Sequence, residues 1–175
     1  MKKKLLSLLS ALLITILITS TAGAGGIVKL GFVEFSLGSL IAQGYASGLG
    51  NTDVTIVLDA SGIPAITCTN NGGNDVPGQS SPKVSASGQT SLLGNDPVRK
   101  NGRSPFGVET VDPGTVPWDE ADCPNSNWTA RIDFIFWTNA TISVHNTATG
   151  ALLLQKKYVC NTTREPASVT CTPTN

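Results

Sequence analysis

The chain has a single imidazole, His145, and nucleophilic catalysis by a serine or cysteine ordinarily needs a base beside the nucleophile. In the alternating run 141–145, His145 falls on the outward side with Ser143, and no carboxylate within that run would orient the ring. The segment Gly78-Gln79-Ser80-Ser81-Pro82 departs from a G-x-S-x-G nucleophile elbow at its last position and follows an Asn/Gly-rich loop, not a strand. His145 therefore reads as a solvent-facing residue. Asp112, Asp119, Glu120 and Asp122 gather in one loop, and paired carboxylates can do general acid and base work or hold calcium. Their spacing is not that of an EF-hand, and nothing sets two of them across a substrate. They read as a solvated acidic loop, with a hydrolase built on it as the one enzymatic alternative; no cofactor is expected.

Groups suited to binding without chemistry are more plentiful. Asn70, Asn71, Asn74, Asp75 and Gln79 give a glycine-rich loop many hydrogen-bond donors and acceptors, the kind of surface that holds a sugar or a peptide backbone. The same residue types also shape tight β-connections, because their side chains cap nearby backbone groups and tolerate positive φ. Trp137, Trp118 and Tyr45 are expected on an outward face or in a loop, and exposed aromatics anchor partners or stack on sugar rings. Trp128 is expected to face inward.

These groups must be positioned by strands. Val54, Ile56 and Leu58 alternate with polar neighbours; Asp59-Ala60-Ser61-Gly62 then reads as a hairpin turn, and Ile66 and Cys68 mark the returning strand. Residues 127–137 form the clearest strand, with Trp128, Ala130, Ile132, Phe134 and Phe136 on the inner face. Thr138-Asn139 is expected to turn it into 140–145, and 146–150 to turn again into 151–159. Further alternation surrounds Val33 and Phe35, Leu40 to Ala46, Val84 to Leu92, and Phe106 to Thr110, with Asn101-Gly102 as a tight turn. The sum is an all-β, antiparallel, immunoglobulin-like β-sandwich of about eight or nine strands, without the cysteine and tryptophan spacing of true immunoglobulin domains.

Lys2, Lys3 and Lys4, the apolar run 5–18 and Ala22-Gly23-Ala24 form a signal peptide over residues 1–24, too short in its apolar part to be read as a span. Residues 25–175 then make one domain, released outside the cell with no membrane anchor. Without those lysines nine basic residues face 12 acidic ones, a formal charge of about −3. That disfavours nucleic acid and anionic membrane surfaces as partners. The triplets at Asn127, Asn139 and Asn161 satisfy the N-glycosylation pattern, but the lysine-rich, compact signal looks bacterial, where the triplet usually carries no meaning.

Four cysteines in an exported chain are expected to form two disulfides; no C-x-x-C pair and one histidine argue against zinc. Of three possible pairings, Cys160 with Cys171 is preferred because they bracket a turn-rich segment, 161–170, that nothing else would hold. Cys68 with Cys123 follows. On the loop-entropy model these closures are worth about 3 and about 4 kcal/mol respectively.

The motifs GLGNTDV (48–54), CTNNGGNDVPGQ (68–79), KNGR (100–103) and CPNSNWTA (123–130) resemble a set of secreted, largely bacterial proteins without an assigned function. The resemblance covers most of residues 25–175 and implies one domain; it implies no catalytic or binding residues. The expectation from the whole sequence is a secreted, non-catalytic binding or adhesion module for a glycan, a cell wall or a protein surface. The alternative is a structural protein whose strand edges pair between copies into a surface fibre or matrix.

Overall fold

The computed structural model describes residues 26–99 and 102–174. The expected signal peptide therefore lies outside the described residues, as do Lys100 and Asn101 of the expected turn, whose Gly102 has a φ of 71°. Nine strands and no helix occur among the described residues: β1 Lys29–Ser36, β2 Ile41–Ser47, β3 Val54–Asn70, β4 Asp75–Pro77, β5 Val84–Leu92, β6 Arg103–Glu109, β7 Trp128–Asn146, β8 Leu152–Arg164 and β9 Ala167–Pro173. All pair antiparallel. A small sheet has the order β1-β2-β6, and a large one the order β4-β3-β7-β8-β9, with β5 also on β3. The all-β antiparallel expectation, its strand count and both disulfides are borne out.

The main core lies between the two sheets. Leu40, Ala42, Phe106 and Val108 from the small sheet and its turn pack with Val54, Ile56, Leu58, Ile142, Val144 and Tyr158 of the large one. A second core of Ile66, Cys68, Val116, Ala121, Cys123 and Ala130 continues along β3 and β7 beneath the loop between β6 and β7. The Cys68–Cys123 bridge, with a sequence separation of 55, ties that loop to β3.

Two expected turns are corrected. Asp59-Ala60-Ser61-Gly62 is no hairpin: β3 runs unbroken for 17 residues, burying each even-numbered position from Val54 to Cys68. The even phase was continuous in the sequence, and the turn-forming residue types masked it. Thr138-Asn139 is no turn either, because β7 continues for 19 residues and pairs with β3 throughout.

The inner and outer faces expected for 127–137 are also corrected, and two β-bulges give the reason. The register jumps from Ser61↔Asn139 to Gly62↔Trp137, leaving Thr138 as an extra residue, and from Ala65↔Phe134 to Ile66↔Ile132, leaving Asp133 as another. Each extra residue reverses the side on which later residues point. Between the bulges Trp137 and Ile135 thus share the inner face with Gly62 and Pro64, while Phe134 and Phe136 stand opposite Ala65 and Ile63 on the outer face. Trp137, expected outside, is 1% exposed. Trp128 packs partly buried against the second core, on the expected side.

The segment 161–170 is also more regular than expected. It is the end of the β8–β9 hairpin, held by a ladder from Tyr158↔Pro173 to Arg164↔Ala167 in which Cys160 and Cys171 lie directly opposite. The bridge staples a hairpin that its own backbone bonds already define.

Candidate functional site

The polar loop after β3 is built to hold itself. Asn70 Oδ1 accepts bonds from the backbone N–H of Gly72 and Asn74, each at 2.9 Å, and from Asn74 Nδ2 at 3.3 Å. Asp75 accepts the Thr69 hydroxyl. The side chains of Asn70, Asn74 and Asp75 are thus engaged in turning β3 into β4, while Asn71 and Gln79 are exposed. Trp137, on the inner face beside Gly62, does not join this loop in one surface.

The other sequence candidates are dispersed. His145 Nδ1 lies 3.2 Å from the Gly150 carbonyl oxygen, and the Ser143 hydroxyl accepts Gln155 Nε2 at 3.2 Å, so serine and imidazole are committed to separate partners. Asp112 Oδ1 accepts the Gly114 N–H at 2.8 Å; Asp119, Glu120 and Asp122 are exposed on a turn beyond it. Among the described residues no three histidine, cysteine or acidic side chains come together as they would to hold a metal. The Tyr45 ring lies against Gly31, with the Arg103 guanidinium 4.7 Å from its centroid, and Trp118 is 40% exposed in its loop.

The structure instead assembles polar groups on the outer face of the large sheet. Two rungs cross three strands: Ser85↔Ser61↔Asn139 and Ser87↔Asp59↔Thr141. Because Ala60 and Ala86 point into the core, these six short side chains all point outward. They leave a trough of about 310 Å³. Among the described residues Asp59 forms no ion pair, the single pair being Arg131 with Asp133. Three strands at about 4.8 Å spacing and two rungs about 7 Å apart give the floor of the trough.

The next rungs turn apolar on the same face. Ile63 stands opposite Phe136 and Ala65 opposite Phe134, with the two phenyl rings edge to face at 5.0 Å. Ile63 is 48% exposed, and Val159, opposite Asn139 on β8, is 51% exposed. The bulge at Thr138 makes this possible, since it carries β7 from outward polar positions to outward aromatic ones. The arrangement can accept and donate hydrogen bonds at one end and cover an apolar ring face at the other. Sequence reasoning missed it because the pairing of three distant strands was not visible, although the outward positions of β5, Ser85, Ser87, Gln89 and Ser91, are uniformly polar.

No protein-family model and no curated protein matches the sequence. Among solved structures, the crystal structure of Bacteroides uniformis beta-glucuronidase aligns with 77% of this chain and 12% of that one, at 13% identity and a TM-score of 0.29. A calcium-binding mutant of Bacteroides uniformis beta-glucuronidase 2 aligns with 77% of this chain and 13% of that one, also at 13% identity and a TM-score of 0.29. The chain spans about an eighth of the length of those enzymes. A likeness this slight says nothing of activity.

Proposed function

We propose that the protein is a secreted, non-catalytic binding module with an immunoglobulin-like sandwich, and that it holds carbohydrate on the outer face of the large sheet. The observation that carries this reading is the junction of the polar trough with the Ile63, Phe136 and Phe134 platform. A sugar ring has polar edges and apolar faces. Asp59, Asn139 and the four hydroxyls around them match the edges, and the phenyl and aliphatic groups match a face. The trough volume falls within the roughly 300–1,000 Å³ of small-molecule sites, at the low end, which suits one or two rings at the end or middle of a longer chain.

Export is the setting in which this surface works. Two disulfides persist in oxidising compartments, and among the described residues no helix is long and apolar enough to cross a membrane. The resemblance of the four motifs to secreted bacterial proteins points the same way.

The test is isothermal titration calorimetry of residues 25–175 against cello-, chito- and laminari-oligosaccharides and soluble peptidoglycan fragments. Saturable heat with at least one of them is expected, abolished by Ser61→Arg, which fills the trough, with the melting temperature kept. Absence of binding to all of these and to a broad glycan array at millimolar concentration would sink the reading.

A further inference from the structure

β7 has a partner along only part of one edge. On one side β3 covers it from Trp128 to Asn146. On the other, β8 pairs only with residues 139–145, while its ladder to β9 continues on its opposite edge as far as Arg164. Residues 128–138 thus present an edge with no strand partner among the described residues. Such an edge carries unpaired backbone N–H and C=O groups and is a template for another strand.

Two cavities adjoin this edge and join end to end. One, of about 430 Å³, is bounded by residues 129–132 and by Asp112, Gly114 and Thr115. The other, of about 380 Å³, is bounded by residues 132–135, Trp137, the β1–β2 turn at 37–39, and Ala167. Asp112 and Ile132 belong to the walls of both. The result is a groove following β7 from Thr129 to Trp137, about 26 Å at the rise of a strand. At its far end the Thr162 hydroxyl donates to the Trp137 carbonyl at 3.0 Å, so the pairing capacity stops there.

We propose that this groove takes an extended peptide segment of a partner protein, added as a strand beside β7 with a lysine or arginine directed at Asp112. Backbone pairing supplies the contact that needs no particular sequence, and pockets for alternate side chains supply selection. Ile132 and Ile135 offer apolar walls on the inner side. Asp133 is occupied by Arg131 at 3.0 Å and by the Thr67 hydroxyl, whereas Asp112, among the described residues, accepts one backbone N–H and pairs with no cation. A second copy of the chain fits less well. The bulges at Asp133 and Thr138 split the edge into two short windows, 129–132 and 134–137, and interrupted edges resist continuous pairing between sheets. The groove uses none of the six polar residues of the trough and shares only Phe134 with the apolar platform beside it, so Asp112 tests it separately from the carbohydrate reading.

The test uses the chain 25–175 and a panel of nine-residue peptides alternating threonine with valine, carrying a central lysine, glutamine or glutamate. Binding is read by fluorescence anisotropy, and hydrogen exchange reports on residues 129–137. The lysine peptide is expected to bind saturably and to slow exchange in that window. N-methylation of alternate residues is expected to weaken it about tenfold or more, since several backbone bonds are lost. Asp112→Asn keeps the bond from the Gly114 N–H and removes the charge, and should erase the preference for lysine over glutamine without altering the melting temperature. No protection by any peptide at millimolar concentration, or binding indifferent to N-methylation, overturns the proposal. Protection of residues 129–137 by concentration-dependent dimerisation overturns it in favour of self-pairing.

Discussion

A methyl group added at Gly62 would stand 2.6 Å from the Phe136 carbonyl oxygen and 2.7 Å from Ile135 Cγ2. β7 closes on β3 here because the bulge at Thr138 bends it inward, and only a residue without a side chain admits the approach. Gly62→Ala is expected to destabilise the protein by about 1–3 kcal/mol, as overpacking does. Gly107→Ala, where the same methyl would meet only Gln43 Cγ at 3.8 Å, should be tolerated. Equal melting temperatures for the two variants would contradict this account of β7.

Trp137 is 1% exposed, and Trp118 is 40% exposed. In a protein reduced to one tryptophan by Trp118→Phe and Trp128→Phe, emission should be blue-shifted and poorly quenched by acrylamide. Trp137→Ala should cost about 3–5 kcal/mol as a core truncation. A tryptophan quenched as freely as the free amino acid would place the ring outside and undo the two-bulge register.

The two disulfides should differ in consequence. Replacing Cys160 and Cys171 together by serine removes a staple from a hairpin already laddered over seven positions, and a cooperative fold should survive with a loss of about 3 kcal/mol. Replacing Cys68 and Cys123 opens a closure of separation 55 inside the second core, with an expected loss of about 4 kcal/mol and fast exchange through residues 111–127. Chemical denaturation with hydrogen exchange distinguishes the two.

The Tyr158 hydroxyl is buried without a hydrogen-bond partner among the described residues, and burial pushes its phenol up to about 12 from 10.0. The unfolded chain releases this proton first. The associated stability is therefore complete below pH 10 and declines as pH rises through 12, by at most about 3 kcal/mol. Tyr158→Phe keeps the edge contact with the Phe35 ring and removes the unsatisfied group. It should be neutral or stabilising by up to about 1 kcal/mol at pH 7, with a shallower alkaline decline. A loss of stability at neutral pH would point to a bond that this hydroxyl makes.

Most of the strands were legible in the sequence because half-buried antiparallel strands alternate, and β2, β5 and β6 do so plainly, whereas β1 carries a register shift between Leu30 and Val33. The cysteine pairing came out right although its premise did not, since the segment between Cys160 and Cys171 is a paired hairpin that needed no closing. What escaped was the continuity of β3 and β7. In β3, Asp59, Ser61 and Gly62 are turn formers by type, yet tertiary pairing on both edges holds them extended. In β7, Phe134, Ile135, Phe136 and Trp137 are all apolar, so alternation cannot say which pair faces the core, and a bulge leaves no mark in such a run. The trough escaped for a related reason, since it exists only once β5, β3 and β7 lie side by side.

The long pairing of β3 with β7 also governs how the chain reaches its native state. Contacts such as Thr55 with Thr147 and Thr67 with Asp133 join residues 92 and 66 positions apart. Neither half can bury its apolar strand face until the other is present, so the search for the native register is long-range and, as in other all-β domains of high contact order, is expected to take milliseconds to seconds. In chain order β3 can pair with β4 and β5 first, but its other edge stays open until β7 is present. The Cys160–Cys171 closure can form locally at any time, but the correct Cys68–Cys123 closure is brought into reach by the β3–β7 register itself, which makes its formation a reporter of completed topology.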